Sequence, residues 1–278
     1  MVQVAIHPRR RRGDWGWELI LYTDIERFCC DVLRARVADG GLLPGDVWDR
    51  DVRTLTADEL KPYTQVHLFA GIGASPLGLK WAGWPAGLSV VTGGFPCQSV
   101  SVSGKGLGEK DKRFLWPEMM RAIDIVRPVY VIVENSPALR ARGGDRVLGD
   151  LERADYSTGA FVLGAEDLGA PHQRDRVWIV AKSRIHRSQT RQVSGREANQ
   201  KRGTESARIQ RPVPHAWPPR PSHVSEIPRA IDGLPGWVDK RSRNAAYDAL
   251  GNAQVPQCVE LIARAILQTE STPERSEA

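Results

Sequence analysis

Short apolar runs alternate with stretches of helical periodicity along most of the chain. Glu18 to Tyr22 reads as a buried strand ending at Thr23-Asp24, and Ile25 to Arg36 then carries Phe28, Val32 and Leu33 at helical spacing. Gly45 to Arg53 is a turn leading into a short strand, and Thr56-x-x-Glu59 forms a capping box for a brief helix before Pro62. Gln65 to Phe69 is the next strand. It opens into Ala70-Gly71-Ile72-Gly73-Ala74, after which Ser75 can cap, and Pro76 can begin, a helix running toward Gly83. Leu88 to Thr92 follows as a strand, and Ser99 to Arg113 is polar with no regular period.

Farther on, Leu115 to Val126 is helical until Pro128, and Val129 to Val133 is apolar throughout, as a strand covered on both faces would be. Residues Arg140 to Tyr156 form a glycine-broken loop and helix, Gly159 to Leu163 a strand, Gly169 to His172 a turn, and Val177 to Val180 another strand. Such alternation predicts an α/β fold, a doubly wound and mostly parallel sheet with helices on both faces.

From Lys182 to Arg220 the pattern breaks, with ten Lys or Arg against two acids, Glu197 and Glu205. That composition suits a linker or a nucleic-acid contact. Order returns at Ile231 to Val238 and Tyr247 to Val255, Val259 to Leu267 is a closing amphipathic helix, and Thr269 to Ala278 is a polar tail. The chain therefore divides into a core at 1–181, a basic segment at 182–230 and a segment at 231–278 returning to the core.

At 278 residues there is room for one sizeable core, and the formal charge of +6 favours an anionic partner. The cysteines Cys29, Cys30, Cys97 and Cys258 have neither CxxC spacing nor the density of a disulfide framework, so a reducing cytosol is expected. No zinc-ligand spacing or HExxH pattern appears, so no metal is expected. Met1 to Arg12 carries four consecutive arginines without an apolar core, and no run is long enough to span a bilayer. A soluble, unprocessed, monomeric protein is the expectation.

Candidate chemistry centres on Gly93-Gly94-Phe95-Pro96-Cys97-Gln98-Ser99, a tight loop presenting one cysteine directly after a buried strand. Lys105, Lys110, Lys112 and Arg113 follow, and positive charge favours the thiolate, so Cys97 is either a nucleophile or a buried structural cysteine. Glu134-Asn135 arrives at the same carboxyl edge of the sheet, as a solvated strand-end acid or a catalytic one. Asp24, also at a strand end, can accept from ribose hydroxyls, cap the following helix, or do both. Asp51 offers a second such acid, with Asp46 as the alternative. Arg174 and Arg176 alternate into a strand and share a face, suiting either pyrimidine O2 and phosphate contacts or simple surface charge.

Five stretches together resemble the DNA cytosine-5 methyltransferases. Pro96-Cys97-Gln98-Ser99 followed by Ser101-x-Ser103-Gly104-Lys105 is similar to the family's signature loop, and Val66 to Gly73 to its methyl-donor loop, with His67 where the family usually has an acid. Val133-Glu134-Asn135, Pro171 to Val177, and Gly251-Asn252-Ala253-Gln254-Val255-Pro256 resemble its Glu-Asn, Gln-x-Arg-x-Arg and closing Gly-Asn motifs. A nicotinamide fingerprint would want a third glycine at the position of Pro76.

The resemblance implies a Rossmann-like sheet binding S-adenosyl-L-methionine. Phe69 would lie on adenine, Ala70, Gly71 and Gly73 would supply close backbone, Asp24 would hold the ribose, and Ile25, Asp51 and Val52 would meet the adenine. Pro96 and Asn252 complete that donor set. Cys97, Glu134, Arg176 and Arg174 are the implied catalytic residues. Double-stranded DNA is the implied substrate, a restriction enzyme an implied companion, and the cytoplasm of a bacterium, or of a viral host, the implied place.

In most of that family the donor loop precedes the two acidic strand ends, whereas here Asp24 and Asp51 come before it. Only about twenty residues separate Gly73 from Cys97, too few for two further strand-helix units, so a permuted chain is expected. The basic segment is short for the family's target-recognition region. A cytosine methyltransferase acting on RNA and a non-catalytic DNA-binding relative would share much of this pattern.

Overall fold

The computed structural model describes residues 19–85, 87–96, 114–185, 245 and 248–271. One sheet of seven strands organises them: β1 (Ile20–Asp24), β2 (Asp46–Asp49), β3 (Gln65–Leu68), β4 (Val90–Gly93), β5 (Tyr130–Asn135), β6 (Tyr156–Leu163) and β7 (Arg176–Ser183). Across the sheet they run β2-β1-β3-β4-β5-β7-β6. Those from β2 to β5 are parallel, and β7 is antiparallel to both of its neighbours.

Successive residues of each strand face opposite sides, and each side has its own helices. Leu21, Val66, Leu68, Val91, Val131 and Val133 pack with Trp116, Met119 and Ile123 of α4 (Trp116–Val126) and with Val147 and Leu151 of α5 (Gly144–Arg153). On the opposite side, Val90, Tyr130, Ile132 and Trp178 pack against Leu79 of α3 (Ala74–Ala82) and Val259, Ile262 and Ala263 of α6 (Pro256–Ser271). Ile20 and Tyr22 meet Leu33 of α1 (Arg27–Ala38). The doubly wound, mostly parallel fold expected from the alternation of elements is thus present.

Several boundaries differ from the sequence pattern for reasons visible in the pairing. β5 runs on through Glu134 and Asn135 because β7 pairs with both, opposite Trp178 and Val177. β6 starts at Tyr156, ahead of its apolar run at Ala160 to Leu163, because β7 pairs along its whole length. β7 runs to Ser183, and its Lys182 Nζ lies 2.6 Å from Glu270 of α6. After β2 the chain makes a 3-10 turn, Val52–Thr54, and then α2 (Ala57–Leu60), whose capping box is formed by Thr56 and Glu59.

Outside the described residues lie the arginine run, Cys97 with its following loop to Arg113, residues 186–244 of the basic and returning segments, and the tail from 272. Among the described residues, no helix is long and apolar enough to cross a membrane, and no group of three or more His, Cys, Asp or Glu could hold a metal.

Candidate active site

Asp24, Phe69, Gly71 and Glu134 come to the carboxyl edge of the parallel strands, the edge at which open α/β sheets bind ligands. Past β3 the backbone turns sharply, with φ of 51° at Phe69, 54° at Gly71 and 89° at Gly73. Gly73, not Ser75, is the N-cap of α3, which leaves Ser75 inside the first turn and buried. The loop is fastened to its neighbour strand by Ala70 N donating to Thr23 O at 3.0 Å and Gly71 N donating to an Asp24 carboxylate oxygen at 2.8 Å.

Asp24's other oxygen accepts from Glu26 N at 2.9 Å. Glu26 is the N-cap of α1, so the simple capping role considered for Asp24 is not what the structure shows. Its carboxylate instead bridges the end of β1 and the glycine loop, and Ile25 beside it is 61 % exposed, an apolar surface at the rim. Asp51 lies past the end of β2 and accepts from Arg53 N at 2.9 Å, capping the 3-10 turn. Val52 is buried, and its carbonyl accepts from Arg121 Nη2 at 2.8 Å. Asp46, the alternative acid, begins β2 and so sits at the opposite end of the strand, bonded to the Tyr63 hydroxyl.

His67 stands apart from the loop. Fully buried, it stacks on Tyr22 with ring centroids 5.3 Å apart and shares a 2.7 Å hydrogen bond with the Thr92 hydroxyl. Burial holds its pKa down at about 3, so the ring is neutral.

Glu134 ends β5 at only 7 % exposure, so the solvated strand-end acid is excluded. Arg176 Nε lies 2.7 Å from one carboxylate oxygen. Burial pushes the carboxyl pKa up, and Arg176, Arg174 and a hydrogen bond from the Gln254 side chain act against that rise. Next to it, Asn135 donates through Nδ2 to Phe95 O at 3.0 Å and thereby holds the approach to the cysteine loop. Phe95 is buried edge-on to Phe114 at 5.5 Å, with half-buried Pro96 following. Gly94 has no room for a side chain, since a Cβ there would come within 2.8 Å of Glu134 Oε2 and 3.0 Å of Gln254 Nε2.

The two arginines do different work. Arg176 faces Glu134, whereas Arg174 Nη2 donates to the carbonyls of Gly251 at 2.8 Å and Ala253 at 2.6 Å. Between those carbonyls Asn252 is exposed. Gln254, whose amide oxygen meets the Ser75 hydroxyl, completes the cluster. Ser75 and Gln254 are the members of this cluster that motif reading did not single out, although Gln254 sits inside the closing Gly-Asn motif.

A mostly parallel sheet with a glycine loop and a strand-end acid at its carboxyl edge defines a Rossmann-like fold, and the buried Glu134–Arg176 pair lies at that same edge. Residues 85–220 match the model for the C-5 cytosine-specific DNA methylase, in line with the resemblance drawn from the motifs. The type II methyltransferase M1.ScrFI of Lactococcus lactis subsp. cremoris is 38 % identical over 96 residues, covering 33 % of this chain and 25 % of that protein. The type II methyltransferase M1.HphI of Haemophilus parahaemolyticus is 25 % identical over 174 residues, 60 % of this chain and 40 % of that protein. The chain thus spans well under half the length of these two relatives. Among solved structures, a DNMT2 variant from Spodoptera frugiperda aligns with a TM-score of 0.41 at 18 % identity, covering 60 % of this chain and 43 % of that one.

Proposed function

We propose that this protein transfers a methyl group from S-adenosyl-L-methionine to C5 of cytosine in DNA, with Cys97 as nucleophile. The observation that carries the reading is the buried Glu134 carboxyl, paired with Arg176 and linked through Asn135 to the backbone two residues before Cys97. The donor site fits as well. Asp24 stands at the glycine loop with oxygen lone pairs left for ribose hydroxyls, Phe69 is half-buried at the loop's turn, and Ile25 offers apolar surface. S-adenosyl-L-methionine, when bound there, supplies an electrophilic methyl group.

Cytosine in a duplex hides its reactive edge, so the base is flipped into the site at a cost of roughly a few kcal/mol. The Cys97 thiolate attacks C6, and Glu134, whose burial favours the protonated carboxyl, donates to N3, so that electron density moves to C5. C5 would then attack the donor's methyl carbon as its bond to sulfur breaks. Loss of the C5 proton to water, cleavage of the C6–sulfur bond and return of the N3 proton to Glu134 release Cys97 and restore the aromatic ring. Arg176 holds Glu134 at the base edge and Arg174 holds the 251–253 backbone, which makes Arg174 a positioning residue under this reading. The basic segment, 182–230, is proposed to lie along the DNA backbone.

A permuted chain is part of the proposal. It is supported by the position of β1 and β2 beside β3 in the sheet, by the Asp24–Gly71 contact, and by a family match that starts after the donor loop. The test is incubation with labelled donor and duplex DNA containing 5-fluorocytosine. A denaturant-stable protein–DNA adduct, absent in Cys97→Ala, is expected. No adduct with DNA but one with RNA would replace the substrate, and no adduct with either would overturn the reading.

A further inference from the structure

Gln254 lies outside the catalytic and donor sets that the motifs assign, yet it touches both halves of the site. Ser75, buried in the first turn of α3, meets the Gln254 amide oxygen. A hydroxyl in that place fixes the amide, turning its NH2 group toward the Glu134 carboxyl, to which it hydrogen-bonds. Gly94 clears the space in which that contact is made. The backbone leading to Gln254 is gripped by Arg174 at Gly251 and Ala253, and α6 starts just after it, packed so tightly on α3 that a Cβ at Gly78 would lie 2.5 Å from Pro256 O.

We propose that Gln254 is a positioning residue for Glu134, joining the carboxyl that meets the base to the helix that follows the donor loop. The proposal rests on the methyltransferase reading above. Arg176 holds one oxygen of Glu134, and the other oxygen and the Gln254 amide nitrogen both border the space beside Gly94. The charged or titratable groups facing Glu134 are Arg176 and Arg174 on the β7 side and Cys258 of α6. Gln254 is neutral, and its replacement changes hydrogen bonding without changing charge.

The test uses the full-length protein with its glutamate side-chain carboxyls labelled with carbon-13, and compares wild type, Gln254→Met and Ser75→Ala. Glu134 is assigned by the resonance missing in Glu134→Gln. Loss of a hydrogen bond to the charged form should move the Glu134 titration midpoint up by about one pH unit in Gln254→Met and by less in Ser75→Ala. Single-turnover methyl transfer should fall about tenfold in Gln254→Met, with its pH profile displaced in the same direction as the midpoint. An unmoved midpoint and an unmoved profile in both variants would overturn the inference. If wild type transfers no methyl group, the functional reading fails, and the titration still decides whether Gln254 governs Glu134. Ser75→Ala keeps the question answerable should Gln254→Met fail to fold.

Discussion

Glu134 and His67 are both buried, and they load the fold in opposite directions as pH changes. The Glu134 pKa is raised above its ordinary 4.5, so the folded state holds its proton more tightly than the unfolded chain does. The penalty is absent below about pH 4.5 and grows as pH rises through the folded value. Arg176 stays charged throughout, so its loss of a partner in Glu134→Gln adds a constant offset. The melting temperature of Glu134→Gln relative to wild type should therefore rise from pH 4.5 to pH 8, and a constant difference would refute the burial argument. His67 works the other way. Its pKa falls from 6.5 to about 3, so its stabilising share is whole above pH 6.5 and drains as the pH drops toward 3. Denaturant melts of His67→Phe, which keeps a ring on Tyr22, should lose up to ~1.4 kcal/mol per pH unit of the acid slope seen in wild type. Gly94→Ala should cost about 1–3 kcal/mol of stability and cut methyl transfer at least tenfold, because its new methyl presses on Glu134 and Gln254. Glu134, Arg176 and Asp24 were readable from short motifs. The Ser75–Gln254 contact was not, because it joins positions 179 apart and the closing motif that contains Gln254 says nothing of its partner.

Among the elements, the strand ends matter most, and their bracing is indirect. Arg121 of α4 donates to the carbonyls of Leu55 at 2.7 Å and Val52 at 2.8 Å, so one side chain ties the whole 52–55 segment behind Asp51. Arg121→Ala should raise the apparent KM for the methyl donor several-fold while kcat at saturation changes little, checked by initial rates over a range of donor concentrations. Asp24→Ala should raise it further, since the carboxylate that fastens Gly71 is then missing as well. Strand and helix types were legible from apolar spacing, and so were the capping box at Thr56 and the stop of α3 at Gly83. The extents of β5 and β6 were not. Both are set by pairing with β7, which in β6 begins ahead of the apolar run.

For the molecule as a whole, the sheet order brings pieces from distant parts of the chain to one rim. Asp24 reaches it from the first strand, Phe69 and Glu134 from the middle, and Gln254 from beyond the basic segment. The doubly wound fold could be read from the alternation of elements, whereas the packing of α6 on α3 had no counterpart in periodicity. That packing has a consequence for the life of the protein. While a ribosome is still making the basic segment, the parallel strands can already pair, but the helix behind the donor loop has no cover and Glu134 no amide partner. Until residues 254–271 are made, the carboxyl rim of the sheet therefore stands without the helix that closes it.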